Sequence, residues 1–478
     1  MDNYYFGRTG NNYGSYGSGS RRRRRRGPGP LLPLLLVLLL ILLIAGVAFG
    51  VKKLRGAKPD KPESSVTETA EGAGGENPEE TVPEVTKTAL EEIMEKAERL
   101  SLMYDYDEAI RLISENEEAS ASEEGKAAVA KYEELKAACV RQDISQITHV
   151  FFHILIPEDS MDKVFDGDRE QRGYNLVMTT ETEFRRILQS MYDRGFVLVR
   201  LHDMAYEVDD PENGGKKMVE GDIMLPEGKK GFVMSQDDVC YYEYMEDDGF
   251  ANRLVIGEDG RVTTQRDYED GTSDIGSYDL IPILNDFIDE HPDFSYRGAK
   301  AVIAVTGYNG VFGYRTDTAY EGVNPNIEED KKKVTEIARA LRADGWELAS
   351  HSWGHRYYGQ ISMSDLQADN GKWQERVAPL IEGSDIIIYA FGDDVADWHP
   401  YKTENERFML LWRSGFRYFC NVDSNRVWVQ KGNDYLRQGR RNLDGQRMWQ
   451  DLSTGSDHLS DLFDVKEVFD QGRPTPVE

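Results

Sequence analysis

Cysteine is scarce in this chain: three in 478 residues, Cys139, Cys240 and Cys420. Three cannot build a disulfide framework, and the odd count leaves one unpaired. A chain outside a membrane with so few is expected to be a bacterial surface protein held together by its core. Positive charge is scarce too, over most of the length. Ten of the 57 Lys and Arg residues lie in the first 55 positions, where Asp2 is the one acid; beyond them, 47 bases face 85 acids. So acidic a surface excludes nucleic acid as an expected partner. No long internal repeat is visible, which excludes a solenoid or propeller. Long apolar runs are missing as well, with one exception.

The exception starts at Leu31 and reads LLPLLLVLLLILLIAGVAFG, without a charge. At about 1.5 Å per residue such a helix crosses the ~30 Å hydrocarbon core. Pro33 falls in its first turn, where a missing N–H costs little. Arg21 to Arg26 precede it, and Lys52, Lys53 and Arg55 follow. The denser basic cluster stays cytoplasmic, so the bulk of the chain is expected outside. The run is too long for a signal-peptide core and no A-x-A site follows it, so an uncleaved anchor is expected. These features predict a disordered basic cytoplasmic tail (1–30), a transmembrane helix (31–51) and a flexible charged linker (52–86). The predicted location is the cell membrane, single-pass, with the large domain extracellular. A linker of that length has an r.m.s. span of roughly 30–35 Å, which keeps the outer domain near the membrane.

Helical periodicity begins near Thr88, with Leu90, Ile93, Met94, Ala97 and Leu100 on one face. A break at Tyr104-Asp105-Tyr106-Asp107 precedes a second run, and a third covers Lys126 to Val140, giving a small helical module over 87–143. The YDYDEAI stretch is similar to a tetratricopeptide turn, but one unit makes no stacked array. From 145 to 472 short apolar runs, such as Val150–Ile156, Gly231–Met234 and Ala301–Thr306, alternate with helical patterns, such as Leu280–Glu290 and Lys331–Asp344. That alternation predicts parallel pairing in an α/β sheet or barrel, and the length is ample for one barrel with insertions. Residues 204–230 and 245–275 are polar and rich in Gly and Asp, and are expected to be insertions or loops.

Two strand ends carry the chemistry. Gly231-Phe-Val-Met-Ser-Gln-Asp-Asp238 is an apolar run ending in adjacent carboxylates, and Glu347-Leu-Ala-Ser-His351-Ser-Trp-Gly-His355 ends in two histidines four apart. Barrel active sites collect at the C-terminal ends of strands. One carboxylate and two imidazoles make a three-ligand site for a divalent ion with a position left open. The spare carboxylate can then deprotonate a water. Either motif alone matches often by chance; the two together are far more specific.

This order, an Asp-Asp strand end followed by His-Ser-x-x-His, resembles the polysaccharide deacetylases of the NodB-homology type. Further points of likeness are the opening strand with His153, Leu225-Pro-Glu-Gly-Lys-Lys, Tyr389-Ala-Phe-Gly-Asp393 and Gly415-Phe-Arg-Tyr-Phe. The resemblance implies a distorted (β/α) barrel and a metal-dependent hydrolase acting on carbon–nitrogen bonds other than peptide bonds. It implies Asp237 as general base, Asp238, His351 and His355 as metal ligands, and Ser352 as a brace of the histidine loop. It places the oxyanion site at the backbone of Phe391 and Gly392. The implied metal is zinc, with cobalt, nickel, manganese and iron as alternatives. The implied partner is an N-acetylated (or O-acetylated) cell-wall polysaccharide, peptidoglycan first.

Departures from the family pattern are specific. The usual Ser/Thr-Phe-Asp-Asp is here Ser235-Gln236-Asp237-Asp238. The strand that normally supplies an Arg to hold the base reads Ile388-Tyr-Ala-Phe-Gly392, so Arg440 or Arg441 is the candidate replacement. The late Leu-x-x-x-His segment bearing the general acid is missing, leaving His399 and His458 as candidates by position. Without that Arg and acid, the alternative is a weak or inactive cell-wall glycan-binding protein on the same barrel. Trp353, Tyr357, Tyr358 and Trp398 are candidates to stack on sugar rings.

Overall fold

Runs such as Val302–Val305 and Ile386–Ile388 are short, rich in β-branched residues and buried at every position. Such sequences suit parallel strands covered on both faces. The computed structural model describes residues 87–478 apart from Ser424. Eight strands carry the architecture: β1 (Thr148–Phe152), β2 (Phe196–Leu198), β3 (Lys230–Gln236), β4 (Val302–Val305), β5 (Glu347–Ser350), β6 (Ile386–Ile388), β7 (Tyr418–Val422) and β8 (Leu436–Asn442). Seven close into a parallel ring in the order β4-β5-β6-β7-β8-β1-β3 and back to β4. Strand β3 shares one edge between two neighbours. Lys230 to Phe232 pair with β2, and Ser235 and Gln236 pair with β4. That split edge is the distortion in the (β/α) barrel expected from the sequence.

Alternation along the strands sorts the core into two shells. Val150, Phe152, Phe232 and Met234 face outward under helices such as Glu181–Asp193 and Leu280–Glu290. Val233, Val302, Ala304, Ala349 and Ile388 face inward, in one cluster with Ala97, Tyr104 and Tyr132 from the N-terminal helices. Those helices (Ala89–Leu102, Tyr106–Glu115, Glu117–Ala121 and Glu123–Ala137) therefore cover the N-terminal end of the barrel. Tyr104 donates to the Asp293 carbonyl at 2.8 Å, and Cys139–Arg141 pairs antiparallel with Met224–Pro226.

Residues 204–230 and 245–275, expected as insertions or loops, carry strands of their own. The first contains the hairpin Ala205–Asp209 with Lys216–Glu220, and the second most of a three-stranded sheet, Arg253–Ile256, Val262–Asp267 and Ser273–Gly276. The predicted tail, transmembrane helix and linker (1–30, 31–51 and 52–86) lie outside the described residues. Among those described, no helix is long and apolar enough to cross a membrane.

A charged pin closes the N-terminal end of the barrel. His202 shares its ring nitrogens between Glu347, at the start of β5, and Asp385, just before β6. Burial alone would lower its pKa, but hydrogen bonds to Asp385 and Glu347 outweigh that and hold it up to about 10. A folded-state pKa above the unfolded value of about 6.5 stabilises most fully below that value, and the gain is lost as pH rises toward 10. The urea midpoint should therefore fall across this window, and His202→Gln should flatten the fall. An equal slope in the variant would refute the assignment.

Candidate metal centre and active site

Four residues named from the sequence meet at the C-terminal end of the barrel. Asp237 and Asp238 follow β3; His351 and His355 follow β5. His351 Nε2 lies 3.8 Å and His355 Nε2 3.7 Å from the same Asp238 oxygen. One ligand atom from each of the three falls within 4.8 Å of the others. The His351 Nδ1–H donates to the Ile388 carbonyl at 2.9 Å, which leaves Nε2 with its lone pair toward Asp238. Burial lowers the His355 pKa to about 4, so that ring is neutral at pH 7. Two imidazoles and a carboxylate fit a divalent ion such as zinc.

The backbone is held in sparsely populated geometry to achieve this. Asp238 (φ 61°), Ser352 (φ 63°), His355 (φ 50°) and Phe391 (φ 59°) all occupy the left-handed region. Such positions cost on the order of 1–3 kcal/mol each and persist where surrounding contacts fix them. Here the Tyr242 hydroxyl donates to Asp238 at 2.6 Å, and the Ser352 hydroxyl accepts from the Arg356 N–H at 3.0 Å, beside His355. Phe391 packs its ring 4.3 Å from His355 and 3.9 Å from Tyr357. The Gly392 N–H already donates to the Tyr389 carbonyl, a bond the oxyanion expectation did not take into account.

Asp237 is the most tightly held group. Both its oxygens accept from the Arg440 guanidinium, at 2.7 and 2.9 Å, and both residues are buried. Burial would raise the Asp237 pKa; Arg440 first, then His351, hold it well below the usual carboxylate range. Arg440 is thus the arginine beside Asp237, while Arg441 turns to Asp461 at 2.8 Å. Below the pair a single hydrogen-bonded file runs down the barrel. Arg440 donates to Ser235 Oγ (3.1 Å); Ser235 donates to His149 Nε2 (3.0 Å); His149 Nδ1 donates to Gln438 Oε1 (3.2 Å); Gln438 donates to the Ile147 carbonyl (2.8 Å). Burial, then Arg440, keeps His149 neutral, which that file requires.

His153, quoted from the sequence only as part of the opening strand, belongs to the site. Phe152 of β1 pairs with Gln236, so His153 lies level with Asp237. It is close enough to act electrostatically on Asp237, Asp238 and His355. Its Nδ1 donates to the Val177 carbonyl at 3.0 Å, so Nε2 is the ring nitrogen outside that bond. The other candidates lie elsewhere. His399 is exposed and paired with Asp397 at 2.9 Å, and His458 is paired with Asp451 at 2.6 Å. Gln236, in place of the family Phe, is buried and donates to Asp279 at 2.7 Å. Of the aromatics, Tyr358 is core and bonded to Asp369, Trp353 is bonded to Asp317, and Trp398 is exposed.

No protein-family model matches the sequence, and no curated protein matches it. Among solved structures the chain is similar to the Streptococcus pyogenes deacetylase PplD in complex with acetate, at 13% identity, a TM-score of 0.33, and coverage of 64% of this chain and 96% of that one. It is also similar to BA0330 of Bacillus anthracis, which carries the description polysaccharide deacetylase, at 10% identity, a TM-score of 0.34, and coverage of 62% and 64%.

Proposed function

We propose that this chain is a metal-dependent deacetylase that removes N-acetyl or O-acetyl groups from a cell-surface polysaccharide, with peptidoglycan as the first substrate to test. The observation that carries the reading is a buried carboxylate, clamped by Arg440, beside an Asp238–His351–His355 donor set. An isolated buried carboxylate is costly, and a pure binding barrel needs no such base.

A bound divalent ion supplies Lewis acidity toward the acetyl carbonyl and toward water. Asp238, His351 and His355 hold it. Asp237 accepts one proton of the attacking water, whose oxygen joins the carbonyl carbon. On collapse the carbon–nitrogen bond breaks, and the departing amine takes a proton from His153 Nε2. Acetate and a free amino sugar leave. The rival reading, an inert wall-binding barrel, rests on a missing Arg and a missing acid; the Arg440 clamp on Asp237 and the nearness of His153 favour the enzyme. The predicted anchor and linker favour immobilised wall glycan over a diffusing sugar.

The full-length protein loaded with zinc or cobalt should release acetate from N-acetylglucosamine oligomers or peptidoglycan. His351→Ala should lose stoichiometric metal as well as activity. Bound metal with no acetate from any acetylated glycan would sink the enzyme reading; metal retained by His351→Ala would sink the ligand assignment.

A further inference from the structure

At the opposite end of the barrel lies a cavity of about 490 Å³ between the helix Ala89–Leu102 and the segments that enter β4 and β5. Five cationic side chains line it, Arg99, Arg200, Arg261, Arg297 and Lys300, against the carboxylates of Asp289 and Asp344. In a chain of net charge −29 this is a concentrated reversal of sign. Gly345, at φ 93°, keeps it open: a Cβ there would lie 2.1 Å from the Gly298 carbonyl oxygen and 3.2 Å from the Arg200 guanidinium.

The pairing of these cations is incomplete. Arg99 and Arg261 share one carboxylate, Asp289. Among the described residues, the other three have no hydrogen bond to a carboxylate. Arg200 stands 3.6 Å from Asp203 and donates to the Arg297 carbonyl at 3.1 Å, Arg297 stands 3.7 Å from Asp105 and 3.8 Å from Asp107, and Lys300 4.0 Å from Asp344. The Lys300 ammonium is 5% exposed and has three donors. One goes to the neutral amide oxygen of Asn285 at 2.7 Å. Burial pulls its pKa down to about 8, the response of an ammonium short of counter-charge. Clustered guanidinium and ammonium donors with unspent hydrogens match the oxygens of a phosphate better than a single carboxylate.

We infer that this cavity is a binding site for a phosphate-bearing ligand, a phosphomonoester or phosphodiester held by Arg261, Arg297 and Lys300 at the barrel end away from Asp237. The ligand adds two or more acceptor oxygens where the protein itself supplies too few. A free sugar or polyol phosphate and a lipid headgroup share this chemistry.

The test titrates the full-length protein in detergent micelles with inorganic phosphate and with glycerol 3-phosphate, at constant ionic strength set by chloride. Saturable binding is expected, and Arg261→Ala and Arg297→Ala should each weaken it about tenfold or more, the loss of one charge-assisted hydrogen bond. Asp289→Asn removes the internal competitor for Arg99 and Arg261 and should tighten it, a gain that misfolding does not mimic. Micelles doped with short-chain phosphatidylglycerol distinguish the sources: arginine-dependent competition with glycerol 3-phosphate identifies a headgroup site, and its absence a soluble phosphate. No saturable phosphate binding, or wild-type affinity in both arginine variants, overturns the proposal.

Discussion

Asp237→Asn is expected to slow acetate release by about 10²–10⁴-fold, the range for removing a general base, and to leave the metal bound. The substitution preserves shape and removes the acceptor that takes the proton of water. Metal should remain, because the donor set is Asp238, His351 and His355. His153→Gln is the informative companion. It should slow amide substrates, whose leaving amine needs a proton, and spare an activated ester such as 4-nitrophenyl acetate. Asp237→Asn should slow both. Wild-type turnover in Asp237→Asn, or equal losses on amide and ester in His153→Gln, would contradict these roles.

Arg440→Met should cost about 3–5 kcal/mol of folding stability, the penalty for leaving one member of a buried ion pair alone. Arg440 and Asp237 are 1% and 2% exposed, so water cannot compensate either. Removing both charges together is often neutral or stabilising. The double variant Arg440→Met, Asp237→Leu should therefore recover most of the urea midpoint and none of the activity. If the double variant is as unstable as the single one, the loss comes from packing and not from the stranded carboxylate.

The Asp-Asp and His-x-x-x-His end of the site is legible because it follows strands that look like strands. Apolar runs lead into Asp237-Asp238 and into His351-Ser-Trp-Gly-His355, so a change of texture marks the place. Strand β8 gives no such signal. Leu436–Asn442 reads LRQGRRN, as polar as a surface loop, yet every residue is buried. Its side chains are satisfied by partners far off in sequence. Arg437 meets Asp394 at 2.8 Å, Gln438 meets His149, and Arg440 meets Asp237 across 203 positions. Hydropathy cannot find a strand whose inner face is stabilised by pairing. For the same reason Arg440 and Arg441 could not be ranked until β8 fixed which one points inward. His153 carried a local signal, a histidine at the end of an apolar strand, just as at His351. The family pattern that the sequence resembles expects that histidine late in the chain instead.

The file from Arg440 to Ile147 has a consequence for proton traffic. It begins at a guanidinium, which can only donate, and ends at a carbonyl, which can only accept. Every hydrogen between them must point the same way, so none can be reversed without breaking the whole row. The interior of the barrel is in that sense an insulator. Under the proposed reading, a proton taken up by Asp237 therefore cannot leave along this row.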